Sequence, residues 1–152
     1  MYKSGKCNCG KVTYQLKEDP LFVQACHCSL CQRTSGSAFN LIMVIETSKF
    51  EVTSGDIKTF EFVGGSGSIY DIHSCKLCGT SIIGRPRDAV KNLTYVRSGT
   101  LKNTKDIRPL AHIFVQHKQD WVILPEDTPK FEEMYDLEKT WPAESLQRLQ
   151  AT

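Results

Sequence analysis

The spacing of the cysteines constrains this chain more than any other feature of its sequence. Two cysteine pairs stand in short segments that each end in a glycine, Cys7-Asn8-Cys9-Gly10 and Cys75-Lys76-Leu77-Cys78-Gly79. Four thiolates are the ligand set of a closed tetrahedral zinc site. A glycine after each pair suits a chain that bends around a metal, because such bends often need a positive φ. We therefore predict one structural zinc ion bound by Cys7, Cys9, Cys75 and Cys78. The alternatives are buried unligated thiols or a redox pair at Cys75 and Cys78.

A second cluster, Cys26-His27-Cys28-Ser29-Leu30-Cys31, offers only three thiols. Three protein ligands with a fourth position open are typical of a catalytic or ligand-accepting zinc site. We predict that Cys26, Cys28 and Cys31 hold a catalytic zinc whose open position accepts a substrate thiolate, which activates the nucleophile and orients it.

The histidines offer a fourth ligand that would close this second site. His27 lies between two cysteines, but strand-like alternation would direct its ring away from them, so we expect a structural histidine. The other three histidines, His73, His112 and His117, are single and scattered, and we expect the same of each, although one of them could reach the cluster in space.

The cysteine total also bears on the compartment. Seven thiols cannot all pair, and a reducing compartment would keep them as thiols. The N-terminal residues contain no apolar stretch, and the longest apolar run, Leu41 to Ile45, is far short of the ~20 residues of a membrane span. A net charge of +2 is too small for a protein whose main role is to wrap nucleic acid or to coat an acidic membrane. We expect a cytoplasmic protein that binds neither membrane nor nucleic acid.

The length of 152 residues predicts a single domain over 1–152. Alternating apolar residues and β-branched runs predict an all-β domain of short strands. The predicted strand regions are residues 12–16, 21–25, 41–45, 50–53, 59–62, 69–72, 93–97 and 113–116. The glycine- and serine-rich segment 64–68 predicts the tip of a hairpin. Pro142, followed by Leu146 and Leu149, predicts a short C-terminal helix, and a helical turn over 30–34 has weaker support.

One stretch is rich in arginine. Arg85, Arg87, Lys91 and Arg97 are opposed only by Asp88 over thirteen positions. Arginine forks match carboxylates, so this stretch could receive an anionic substrate. An ordinary solvated face is the alternative that we favour.

Several motifs together resemble the glutathione-dependent formaldehyde-activating enzyme family, which shares its domain with centromere protein V. The resemblance covers nearly the whole chain in order. The matching segments are residues 5–14, 26–39, 75–79, 97–101 and 112–115, followed by Trp121 and residues 129–131. Two positions depart from the family pattern: Gln32 stands where many members have arginine, and Lys102-Asn103 stand where an acidic pair is common.

This resemblance implies a β-tent fold and two zinc ions, with the structural zinc on Cys7, Cys9, Cys75 and Cys78 and the catalytic zinc on Cys26, Cys28 and Cys31. That division agrees with the one drawn from spacing. It further implies a carbon–sulfur lyase that joins formaldehyde to glutathione, as S-(hydroxymethyl)glutathione synthase does, with glutathione or a glutathione adduct as its small-molecule partner. A non-catalytic zinc-stabilised binding module of the centromere protein V type is the alternative. A redox enzyme that uses Cys75 and Cys78 is a third hypothesis.

Overall fold

A computed structural model describes residues 3–64 and 67–151, and the described chain is mainly β. Its strands are β1 (Lys3–Lys6), β2 (Thr13–Leu16), β3 (Phe22–Cys26), β4 (Asn40–Glu46), β5 (Phe50–Ser54), β6 (Ile57–Val63), β7 (Ile69–Cys75), β8 (Ser81–Pro86), β9 (Leu93–Arg97) and β10 (Ala111–Ile113). Its α-helices are α1 (Ser29–Ser35), α2 (Leu137–Thr140) and α3 (Ala143–Gln150), and three single 3-10 turns cover Thr47–Lys49, Ser98–Thr100 and Val115–His117. The prediction of a mainly β fold with a short C-terminal helix is confirmed.

The strands form two sheets. A three-stranded antiparallel sheet has the order β1-β2-β5, and a seven-stranded sheet has the order β10-β3-β4-β9-β8-β7-β6. Every pairing in the larger sheet is antiparallel except β10 with β3, which is parallel. The order places strands that are distant in sequence side by side, so residues 22–26, 69–75 and 93–97 can contribute to one face.

Strand β4 shows how the larger sheet is covered on both faces. Alternate side chains of a strand point to opposite faces. Met43 and Ile45 pack into one buried cluster, while Ile42 and Val44 pack into another. The unbroken apolar run that predicted this strand is therefore the pattern of a strand buried on both sides.

The smaller sheet covers one of these faces. Val12, Tyr14 and Leu16 are each at most 1% exposed and pack against Met43, Ile45 and residues of β8 and β9. The alternation expected over residues 12–16 is therefore confirmed. The smaller sheet thereby shields the inner face of the larger one from water.

The C-terminal segment covers the opposite face. Tyr135 and Trp141 pack around Phe22, and the Trp141 ring stacks on the Phe22 ring at a centroid distance of 5.4 Å. Leu146 and Leu149 of α3 pack against the same cluster, as the sequence predicted. Helix α3 begins at Ala143, so Pro142 is the residue that caps it rather than its first helical residue.

Some local predictions were wrong in detail. The predicted strand over 113–116 ends at Ile113, because Phe114 adopts a left-handed conformation with a φ of 55°. The strand predicted over 59–62 is present as part of β6, at the edge of the larger sheet, and its two aromatic residues, Phe60 and Phe62, are 39% and 38% exposed. The β6–β7 hairpin is confirmed; residues 65 and 66 of its predicted tip lie outside the described residues.

Within residues 3–64 and 67–151, none of the helices is both long enough and apolar enough to cross a bilayer.

Candidate metal sites and the adjoining cavities

The first cysteine cluster lies where the two sheets meet. Cys7 follows β1 and Cys75 ends β7, so the segments that carry Cys9 and Cys78 face each other across the sheets. All four sulfurs lie within 4.8 Å of one another, with 3.4 Å between Cys7 and Cys9 and 3.8 Å between Cys9 and Cys75. Tetrahedral zinc with Zn–S bonds of about 2.3 Å places its sulfurs about 3.8 Å apart. The four thiols therefore fit a zinc ion.

The glycines after each pair adopt the conformation that the sequence predicted. Gly10 and Gly79 both have a φ of 74°. The Gly10 amide donates to the Cys7 carbonyl oxygen at 3.0 Å, and the Gly79 amide donates to the Cys75 carbonyl oxygen at 2.9 Å. Side chains other than that of glycine are strained at such angles. These turns fold each cysteine pair back on itself and bring the sulfurs together.

The second cluster is built at the junction of β3 and α1. Cys26 ends the strand, Cys28 caps the helix, and Cys31 lies in its first turn. The Cys31 amide donates to the Cys28 sulfur at 3.4 Å, and the three sulfurs lie within 4.8 Å of one another. Among the described residues, no histidine, aspartate or glutamate joins these three. Cys26 and Cys31 are buried, whereas Cys28 is only half-buried.

Charge at the second cluster favours a cation. Hydrogen bonds from the Cys26 and Cys31 thiols lower the pKa of Cys28 to about 2, and the same contact with Cys28 raises the pKa of Cys26. The three thiols therefore do not all lose their protons readily, because the resulting negative charges repel one another. A divalent metal offsets this repulsion, and thiols that coordinate it are deprotonated. The donor set therefore fits zinc with three protein ligands.

Arg97 supplies a positive charge beside the same cluster. Its guanidinium interacts with Cys31, and its Nε donates to Ser81 Oγ at 3.4 Å. Burial lowers the pKa of Arg97, while the thiols of the cluster oppose that effect. There is room for this side chain because Gly84 lies against it: a Cβ at that position would be 3.1 Å from Arg97 Nη2.

His27 is turned away from the cysteines, as the alternation predicted. Its side chain is fully buried, and its Nε2 lies 3.0 Å from Nδ1 of His112. The His27 ring also packs against Phe39 at 5.1 Å. His73 contacts Thr59 through its Nδ1 at 2.9 Å. These contacts are those of structural histidines.

Gln32, one of the two positions that depart from the family pattern, links α1 to the segment after β10. Its side-chain amide donates to the carbonyl oxygens of His27 at 2.7 Å and His117 at 2.8 Å. Gln119 in turn donates to Gln32 Oε1 at 2.7 Å. This neutral network holds the helix that carries Cys31 in place.

A cavity of about 430 Å³ opens beside the second cluster. One side of it is formed by residues from six strands of the larger sheet, and the other side by Phe114 and the C-terminal segment. Tyr70, Tyr95, Met134 and Trp141 line it, and none of them belongs to a motif that marks a site in the sequence. The sequence analysis missed them for that reason.

A smaller cavity of about 240 Å³ lies on the other side of Cys28. Its own lining is largely polar and comprises Ser29, Gly64, Gln116, His117 and Glu133. The two cavities share Cys28, Leu30, Tyr70 and Phe114. The half-buried cysteine is thus reached from two chemically different sides.

The arginine-rich stretch has separate local roles. Arg87 forms ion pairs with Glu61 and Asp71, each at 2.7 Å, and Arg85 donates to Thr47 and Thr94. Of the four basic residues, only Arg97 lines the larger cavity. These contacts therefore do not support a carboxylate-binding surface shared by all four.

Comparisons with known proteins identify relatives. The model of a family described as "Glutathione-dependent formaldehyde-activating enzyme" matches residues 2–117. Curated proteins that carry this family's name are similar to parts of the chain. The one from Talaromyces marneffei is 32% identical over 103 residues (65% of this chain, 54% of the relative). The one from Aspergillus terreus is 30% identical over 80 residues (53% and 41%), and the one from Emericella nidulans is 35% identical over 81 residues (52% and 40%). The chain thus matches about half the length of these relatives.

A solved structure resembles the fold. The crystal structure of a Rhodobacter sphaeroides protein superimposes with a TM-score of 0.52 at 20% identity. The match covers 70% of this chain and 91% of that one. At this identity the likeness concerns the fold alone.

Proposed function

The chain belongs to the glutathione-dependent formaldehyde-activating enzyme family, and on that basis we propose that it adds the thiol of glutathione to an aldehyde, using Cys26, Cys28 and Cys31 as the ligands of a catalytic zinc. The observation that carries the proposal is the position of this incomplete cluster: three sulfurs adjoin a cavity large enough for a small molecule. In this role the protein resembles S-(hydroxymethyl)glutathione synthase, a carbon–sulfur lyase in the reverse direction.

The reaction is an addition that neither oxidises nor reduces. A sulfur lone pair forms a bond to the carbonyl carbon, the π pair of the carbonyl moves to its oxygen, and that oxygen takes up the proton that the thiol lost. The product is a hemithioacetal, and the reverse reaction breaks the same carbon–sulfur bond. Zinc bound to three thiolates would supply a Lewis acid that keeps an incoming thiol deprotonated near neutral pH.

Two side chains of the larger cavity have suitable chemistry. Burial, with the neighbouring thiols of Cys28 and its cluster, raises the pKa of Tyr70, so its phenol keeps its proton and can donate a hydrogen bond to the aldehyde oxygen. The guanidinium of Arg97 offsets negative charge at Cys31, so a further anionic sulfur is repelled less. Tyr70 would act on the substrate oxygen, and Arg97 on the charge of the cluster.

The first cluster has a different proposed role. Cys7, Cys9, Cys75 and Cys78 complete a tetrahedral set, so a zinc bound there has no position left for substrate. This ion would tie the smaller sheet to the larger one. Binding of structural zinc stabilises small folds by about 10 kcal/mol.

The binding-module alternative requires a second site that is closed by the protein. A fourth protein ligand would favour it, and His27, the residue best placed in sequence, contacts His112 instead. Solvent-accessible space beside Cys28 counts against it. The catalytic proposal therefore has the better support.

The test is a glutathione titration of protein in which cobalt replaces zinc. A thiolate that binds the open position changes the visible absorption of the metal, and the change should saturate. In Cys28→Ser we expect a folded protein that holds one metal ion fewer, gives no response to glutathione and is inactive. Ser37→Ala, an exposed change near α1, is the matched control and should respond as the unsubstituted protein does. An active Cys28→Ser protein with both metals bound would refute the proposal.

A further inference from the structure

The two cavities that meet at Cys28 differ in chemistry. The larger one is lined mainly by aliphatic and aromatic side chains, among them Leu30, Ile42, Ile72 and Trp141. The smaller one is the more polar of the two, because Ser29, Gln116 and Glu133 contribute to its lining. A substrate whose sulfur lies at the cluster can therefore place one part in polar surroundings and another in apolar surroundings.

Glutathione itself does not suit the larger cavity. It carries two carboxylates and one ammonium group, and burying a charge without a partner is costly. Among the described residues that line this cavity, Arg97 is the one basic side chain, and its guanidinium already interacts with Cys31. Asp88, the one acidic residue of the lining, accepts a hydrogen bond from Ser68. The smaller cavity offers Gln116 and His117 as hydrogen-bonding partners for the tripeptide and the carboxylate of Glu133 as a partner for its ammonium group.

Formaldehyde does not suit the larger cavity either. It has two non-hydrogen atoms and needs roughly the space of one or two water molecules, each about 30 Å³. The cavity volume of about 430 Å³ is roughly tenfold larger. Apolar walls around so small and polar a molecule would contribute little to its binding, so the cavity is built for a larger carbon skeleton.

One side of this cavity is a contribution of the C-terminal segment. Met134, Tyr135, Leu137 and Trp141 line it, and all four lie beyond residue 117, where the match to the family model ends. Their positions are fixed by hydrogen bonds: Trp141 Nε1 donates to the Tyr135 hydroxyl at 2.9 Å, and that hydroxyl donates to Gln24 Oε1 at 2.5 Å. Membership of the family therefore does not determine what this cavity accepts.

We propose that the aldehyde used by this protein carries an aliphatic or aromatic substituent of about five to eight carbon atoms, which lies in the larger cavity while the glutathione moiety extends into the smaller one. The inference rests on the proposed function, because it takes the substrate sulfur to the cluster of Cys26, Cys28 and Cys31. The product would be the hemithioacetal of glutathione and that apolar aldehyde, formed by the addition described above.

The test measures binding of unreactive adduct mimics to the zinc-loaded protein by calorimetry. S-methylglutathione and S-hexylglutathione differ by five methylenes, and each buried methylene tightens binding about fourfold. If half of them are buried, S-hexylglutathione should bind at least about thirtyfold more tightly. Hexanal and benzaldehyde should likewise exceed formaldehyde in kcat/KM for hemithioacetal formation.

Substitutions at the rim of the larger cavity, meaning its solvent-exposed lining residues, test where the hexyl group binds. Val90 and Met134 line the larger cavity but are 49% and 51% exposed, so replacing them should leave the core intact. Val90→Asn with Met134→Asn should reduce the affinity ratio of the hexyl to the methyl compound at least about fivefold. Ile123→Asn, at an exposed apolar residue outside the lining, is the matched control and should leave the ratio unchanged.

The outcomes separate the inference from the function on which it rests. If glutathione shifts the cobalt absorption but the hexyl compound binds no more tightly than the methyl compound, the inference is overturned and the proposed function stands. If the hexyl advantage persists in the rim variants, the substituent lies elsewhere and the inference is again overturned. If glutathione produces no shift, both fail together.

Discussion

Replacement of Arg148 by methionine should destabilise the protein by detaching the C-terminal helix from the larger sheet. Arg148 Nε and Nη2 donate to the two carboxylate oxygens of Glu46 at 3.1 and 2.8 Å, and Nη1 donates to the Asp19 carbonyl oxygen at 3.0 Å. The Glu46 side chain is 3% exposed, whereas that of Arg148 is 35% exposed. The variant therefore leaves a carboxylate buried without its cation.

The magnitude follows from this burial. Removing one partner of a fully buried ion pair costs about 3–5 kcal/mol. Because a third of the Arg148 side chain reaches water, we take about half of that, a loss of about 2 kcal/mol. For a protein of this size, such a loss lowers Tm by about 4–8 °C. Urea denaturation and thermal unfolding of the metal-loaded protein measure both quantities.

Two further variants decide whether the stranded charge is the cause. The double variant Glu46→Leu/Arg148→Met strands no charge and should be within about 1 kcal/mol of the unsubstituted protein. Lys139→Met, which removes an exposed ion pair to Asp136 in the same segment, should cost less than about 0.5 kcal/mol. A loss below about 0.5 kcal/mol in Arg148→Met, or a double variant as unstable as the single one, would refute the reasoning.

Three other changes test separate parts of the structure. Gly5→Ala places a Cβ 2.2 Å from the Tyr14 ring and should lower the free energy of unfolding, measured by thermal unfolding, by about 1–3 kcal/mol. Gly99→Ala, whose Cβ would have nothing within 4 Å, should lower it by less than about 1 kcal/mol, and equal losses would contradict close packing of Gly5 against Tyr14. Cys78→Ser should lower the metal content by one ion and cost several kcal/mol of stability, and a variant that keeps both metals would exclude a ligand role for this thiol. Burial lowers the pKa of His112, so below about pH 6.5 the unfolded chain binds a proton there more readily than the folded protein does. Stability should therefore decline as the pH falls from 6.5 to 5, and less steeply in His112→Asn; an unchanged slope in urea denaturation would show that His112 is not responsible.

The predictions from sequence succeeded where the signal was local. Alternation marked β2, and a continuous apolar run marked β4, because in each case the side-chain period matches the faces that are buried. Glycines marked the turns beside both cysteine pairs for a comparable reason: a left-handed φ favours one residue type. Strand β8 was missed because it contains Gly84 and Pro86, residues depleted in strands.

The larger cavity could not be predicted, because its lining comes together only through the strand order. Gln24, Tyr70 and Tyr95 are far apart in sequence and lie on β3, β7 and β9 of one sheet face. Trp141 reaches the same space from the C-terminal segment. No spacing rule links such residues, whereas the cysteines could be grouped because metal-ligand spacing is itself a local pattern.

The strand order also gives a physical reason for the presence of two cysteine clusters. Strand β7 runs from Ile69 to Cys75, so it ends in the first cluster and presents Tyr70 and Ile72 to the cavity beside the second. On its outer side β7 pairs with β6, an edge strand that is mostly exposed and contributes little buried surface. A metal on the first cluster would fix the end of β7 to the smaller sheet and so hold Tyr70 in register with Cys28. Removal of that metal should therefore impair thiol addition at the second cluster even where the second metal is retained. If the first metal only stabilised the fold as a whole, protein that remains folded without it would keep its activity.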